Sequence, residues 1–187
     1  MNRIAFLTVV AAAGIAFPQA ALAQESGTEV TVGAIAGYHD LGLVDGDTEL
    51  EGFELTDNGV ILGGFVAVDF PISENFFVGV EANAAFGTDA IDSDIGASAR
   101  LGYRADNGTK VYLRGGYQEV DVDLAQVIGV DEQVIIDEIG FLPDVGAGDY
   151  LVGAGVDVPV GQLVVRANVD TIAFDSFRAT AGVGFKF

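Results

Sequence analysis

Along most of this chain, apolar and polar residues alternate one for one. The stretch Phe177–Phe187 shows it most cleanly. Phe177, Ala179, Ala181, Val183, Phe185 and Phe187 share one parity; Arg178, Thr180, Gly182, Gly184 and Lys186 share the other. A period of two marks a β-strand, because successive side chains leave opposite faces of the pleat. From Glu29 onward the pattern predicts eight strands, near Glu29–His39, Gly59–Phe70, Phe76–Gly87, Asp94–Arg104, Lys110–Val120, Asp149–Val158, Leu163–Asp170 and Phe177–Phe187. A bilayer is crossed by about 9–11 tilted strand residues, and most of these segments have that length.

The connections differ in length. Pro71–Asn75, Ala105–Thr109 and Pro159–Gln162 read as tight turns, with Asn107-Gly108 a two-residue hairpin signal and Pro71 and Pro159 placed where strands must stop. Asp40–Asn58 and Asp121–Gly148 are long. Short turns at one end and long loops at the other are the asymmetry of a membrane barrel, with both ends of the strand series on the short-turn, periplasmic side.

A lipocalin-like soluble barrel also alternates, but turns its apolar face inward. The cations separate the two cases. Beyond the N-terminal segment, Arg100, Arg104, Arg114, Arg166, Arg178 and Lys186 lie on the polar face within strands, instead of being scattered over turns. Asp69, Glu81, Asp157 and Asp170 share that face. An eight-stranded barrel has an interior just wide enough for side chains to fill. Asp69, Glu81, Arg100, Arg104, Arg114, Asp157, Arg166, Asp170 and Arg178 are therefore expected to form a paired polar core. The aromatics agree: Tyr38, Phe86, Tyr117, Tyr150 and Phe177 fall at one end of the apolar face, and Phe70, Phe76, Tyr103, Phe185 and Phe187 at the other. Two such rings match the aromatic girdles of membrane interfaces.

The first residues read as a targeting segment. Arg3 supplies the positive charge, Ile4 to Phe17 an apolar run, and Ala21-Leu22-Ala23 a small-residue cleavage site. The expected division is a signal peptide over 1–23 and a barrel domain over 24–187, with Gln24 as the mature N-terminus. A buried N-terminal helix is the other reading of this run. After it no apolar stretch is long enough for a spanning helix. The chain has no Cys and a net charge of −20. That excludes disulfides and a Cys-linked lipid anchor, and argues against nucleic-acid partners.

Together these features resemble the small bacterial outer-membrane β-barrel family of the OmpA/OmpX and opacity types, often labelled porin-like. The carrying residues are Ala21-Leu22-Ala23, Leu101-Gly-Tyr-Arg104, Leu113-Arg-Gly-Gly-Tyr117 and Gly184-Phe-Lys-Phe187. The resemblance implies an all-β, eight-stranded antiparallel up-and-down transmembrane barrel in the outer membrane of a Gram-negative cell. The chain departs from the full OmpA layout by ending at the barrel, so no periplasmic peptidoglycan-binding domain is expected. It further implies that Phe185 and Phe187 form the assembly signal met by the outer-membrane insertion machinery.

Candidate chemistry is sparse. His39, beside Asp40, is half of a Ser–His–carboxylate arrangement of a lipid hydrolase, with Ser93 or Ser176 as the serines a fold could bring near. The competing reading is a solvated His on the barrel rim. Asp45, Asp47 and Glu49 are spaced like part of a calcium loop but lack its full pattern. The plainer reading of the acidic outer loops is a solvated rim, or diffuse divalent bridging to lipopolysaccharide. The apolar residues of the third outer loop, Val127 to Leu142, read as strand extensions or as an exposed partner surface. Asn107-Gly-Thr109 matches a sequon but doubles as a turn, and the glycines of 146–155 open a strand, not a dinucleotide-binding helix. No catalytic residue and no cofactor is expected. The leading function is a structural or surface-interaction barrel contacting outer-membrane lipid and lipopolysaccharide. A narrow pore for ions or very small solutes is the alternative, and a lipid-acting hydrolase the third.

Overall fold

The computed structural model describes residues 27–42, 57–123, 127 and 145–187. The expected signal segment, Gln24, Asp45, Asp47, Glu49 and most of the third outer loop lie outside these residues. The strands are β1 (Glu29–Asp40), β2 (Asn58–Pro71), β3 (Phe76–Gly87), β4 (Ile91–Arg104), β5 (Lys110–Val122), β6 (Val145–Val160), β7 (Leu163–Ile172) and β8 (Phe177–Lys186). Each pairs antiparallel with the next, and β8 pairs with β1, so the sheet closes in sequence order. Closure leaves no unpaired strand edge, which is the condition for a sheet to lie in hydrocarbon.

The strands start and stop within a few residues of the periodic segments, and most extend further at the outer, long-loop end. β6 gains most, beginning at Val145. At the opposite, inner end, Gly108 takes a left-handed φ of 81° in the turn after β4. Asn107 instead accepts the Thr109 amide on its side chain at 3.0 Å, so this is a longer turn than a two-residue hairpin.

The outward face carries Val80, Leu101, Leu113, Val152, Val165, Val169 and Val183, all substantially exposed. Both aromatic groups also point outward, with Phe76 edge-on to Tyr103 at 5.5 Å and Tyr117 edge-on to Tyr150 at 6.5 Å. In water this surface would far exceed the apolar patches of a soluble monomer. It is a lipid-facing surface.

The interior is not wholly polar. Near the outer end, Ile61, Ala85, Ile91 and Val120 form a buried apolar cluster, with Leu41 and Val122 packed against it. Ile35, Phe65 and Ala67 form a second cluster. The register of β4 against β5 shifts between Ile91 and Ser93. A bulge re-aims side chains locally, and here Ile91, Ser93 and Asp94 are all buried.

Candidate functional site: a charged ladder through the lumen

Each luminal charge sits on an inward parity position, and those away from the mouth cannot reach lipid or water. Its solvation must come from the other strands. Arg100, Arg114, Arg166, Arg178, Asp69, Glu81, Asp157 and Asp170 are all buried. Transferring any one of them alone into this interior would be strongly unfavourable, so pairing is the condition of their burial.

Glu81 on β3 is the central acceptor. Its Oε1 takes Arg114 Nη1 at 2.8 Å, and its Oε2 takes Arg100 Nη1 at 2.8 Å and Arg166 Nη1 at 2.6 Å. Arg166 donates twice more, to Asp157 Oδ1 at 2.7 Å and Oδ2 at 2.6 Å, the two-pronged geometry that suits guanidinium to carboxylate. Towards the inner end, Arg100 reaches both oxygens of Asp69, and Lys110 joins Asp69 at 2.7 Å to Glu29. Arg104 and Lys186 stand 3.7 and 3.6 Å from the second Glu29 oxygen, both partly exposed at the mouth.

Towards the outer end, Arg114 Nε stands 3.3 Å from Asp170, and Arg178 bridges Asp170 at 3.0 Å to Asp94 at 2.6 Å. Asp94 also accepts from His39 Nδ1 at 2.8 Å and from Gln118, with Asn83 at 3.4 Å. The result is one alternating series of charges running from Glu29 at the inner mouth to Asp94, which His39 holds towards the outer end.

Aromatic faces complete the cationic environment. Arg166 lies 4.0 Å over Phe65 and Arg100 4.2 Å over Tyr112, geometries favourable to guanidinium. The Tyr112 hydroxyl donates its single proton to Asp157 at 3.0 Å. It therefore accepts from the Asn168 amide nitrogen, an orientation that also lets the Asn168 oxygen accept from Arg114 at 3.2 Å.

All nine residues assigned to the polar core from the pattern face the interior, although Arg104 lies at the mouth and is half-buried. The pattern missed Lys110, Asp94, Gln118, Tyr112 and Glu29. Lys110 and Tyr112 share the parity of Arg114, and Asp94 shares that of Arg100, so the signal was present. What misled was their position at strand ends or their aromatic type.

His39 requires a correction. A solvated rim position was expected, yet its side chain is fully buried, at 0% exposure. Its parity is that of Thr31 and Ile35, so β1 turns it into the lumen, where Asp94 fixes Nδ1. The serines do not complete a hydrolytic pair. Ser93 donates to Asp121 at 2.7 Å and Ser176 to the Ile172 carbonyl at 2.9 Å. Among the described residues, no group of three His, Cys, Asp or Glu side chains has the geometry of a metal site. Phe185 and Phe187 face outward, and Phe187 exchanges backbone hydrogen bonds with Val30 at 2.9 and 3.3 Å across the seam.

No protein-family model and no curated protein matches this chain. Solved structures do. The crystal structure of Ail, the attachment invasion locus protein of Yersinia pestis, matches with a TM-score of 0.51 at 14% identity, covering 86% of this chain and 97% of that one. The N-terminal β-barrel domain of Pseudomonas aeruginosa OprF matches with a TM-score of 0.54 at 13% identity, covering 85% of this chain and 97% of that one. At such identities the shared property is the fold. Closed topology, apolar exterior and charged interior lead to the same place: the chain is a transmembrane β-barrel with the fold of the small eight-stranded barrels of the bacterial outer membrane.

Proposed function

We propose that this protein is a non-conducting barrel of the outer membrane, with a structural or surface-interaction role carried by its outer loops. The observation that carries the reading is the occupied lumen. A conducting path needs exchangeable water along its length. Here the inward arginines are held by carboxylates on other strands, and the apolar cluster of Ile61, Ala85, Ile91 and Val120 lies at the outer end. Moving an ion through would require parting several buried pairs, each strongly unfavourable to break. The barrel wall contacts lipid. The acidic outer loops meet lipopolysaccharide, directly or through divalent cations, and the Phe185–Phe187 strand end is the part presented to the insertion machinery. A surface role has a parallel in the Yersinia pestis barrel, whose name assigns attachment and invasion to that protein.

Conductance of the refolded protein in planar bilayers tests the reading. The expected trace is silent under moderate voltage. Regular single-channel steps that change in size with Arg166→Ala would establish the pore instead.

A further inference from the structure

The outer turn between β7 and β8 presents an aromatic side chain in an unfavourable backbone conformation. Ala173 and Phe174 have φ values of 56° and 68°. The left-handed region crowds the Cβ against the backbone, so turns of this kind normally use Gly, Asn or Asp there. Asp89, the other non-glycine residue with positive φ among those described, is of the tolerated type. Phe174 is not, and its side chain is 77% exposed. At that exposure the described residues leave most of the ring uncovered.

The turn is clamped into this form. The Ser176 hydroxyl donates to the Ile172 carbonyl at 2.9 Å and accepts the Ile172 amide at 3.2 Å. The Ser176 amide reaches the same carbonyl at 3.2 Å, and the Ala173 amide binds the Tyr150 carbonyl at 3.0 Å. The clamp ties the residue before Phe174 to Tyr150 on β6, and Phe177 opens β8 just after the turn; both belong to the outer aromatic group and are themselves exposed. Phe174 precedes Phe177 by only three residues. Three residues reach at most about 10–11 Å, so the Phe174 backbone cannot stand farther than that from Phe177 of the girdle.

We propose that Phe174 is a membrane anchor. The strained turn seats its ring at the boundary between headgroups and acyl chains of the outer leaflet, extending the girdle over the β7–β8 edge. Aromatic rings favour that boundary, and it supplies the burial that the protein itself does not. This rests on the membrane reading above.

The chain contains no Trp, so single-Trp variants report their own surroundings. Phe174→Trp, Tyr150→Trp and Val80→Trp would each be refolded into phosphatidylcholine vesicles, with folding checked by heat-modifiable migration. Lipids brominated near the headgroup or deep in the acyl chain, and aqueous acrylamide, serve as quenchers. The inference expects Phe174→Trp to be quenched by the shallow brominated lipid to the extent seen for Tyr150→Trp, with an acrylamide slope several-fold below that of free indole. Strong acrylamide quenching with no lipid quenching, while Val80→Trp responds to the deep bromine, would overturn it. The turn would then stand in water and suit a soluble partner. Failure of Val80→Trp to respond to either lipid would overturn the membrane reading itself.

Discussion

Glu81 and Arg166 meet at 2.6 Å although they belong to β3 and β7, strands that are not paired in the sheet and lie opposite each other around the barrel. Their contact crosses the lumen. It ties the two halves of the sheet together through a side-chain bridge instead of a backbone ladder, and Arg100 and Arg114 converge on the same carboxylate.

Glu81→Ala should therefore destabilise the refolded barrel by about 3–5 kcal/mol, the usual consequence of leaving buried charges without their partner. Asp106→Ala, at an exposed position in an inner turn, should change stability by less than about 0.5 kcal/mol. Urea unfolding in detergent, followed by heat-modifiable migration, measures both. Equal effects would contradict the role given to Glu81.

Asp94 and His39 form one pair but should not respond alike. Asp94 accepts from His39, Arg178, Gln118 and Asn83, so its removal strands several donors. His39→Ala leaves Asp94 with its other donors. Asp94→Ala is expected to lower stability by about 3–5 kcal/mol, and His39→Ala by about 1–3 kcal/mol, from a lost buried hydrogen bond. The same unfolding series checks the order of the two.

Depth along the outer wall should set the penalty for a new charge. Val80→Arg lies near the middle of β3 on the exposed apolar face and should be unfavourable by about 2–4 kcal/mol in a bilayer. Tyr150→Arg, in the outer aromatic group, should be unfavourable by about 0–1 kcal/mol for the charge itself. Folding equilibria in vesicles of defined lipid measure both, and indifference to depth would contradict a lipid-facing wall.

Small residues make room for the charges. A Cβ built at Gly153 would run into the Asp170 carboxylate and the Val169 carbonyl. Gly153→Val is expected to displace Asp170 from Arg178 and to destabilise the barrel by about 1–3 kcal/mol, as overpacking does. Gly161→Ala provides a contrast. Its Cβ would meet open space, and its left-handed φ of 66° alone sets the penalty.

Strand identity and facing were legible in the chain itself. Alternation is a local property, and once Phe177, Ala179 and Ala181 face lipid, Arg178 and Thr180 can only face the lumen. The same parity already carried His39, Lys110 and Asp94 inward. His39 looked like a rim residue because its nearest sequence neighbour is Asp40, while its partner, Asp94, lies on β4. The register shift at Ile91/Ser93 also lay beyond parity, since it depends on how β4 meets β5. Which carboxylate holds which arginine was decided only by closure. Local alternation sets the face on which a charge sits, but distance selects its partner. Distances across a lumen exist only once β8 has paired with β1.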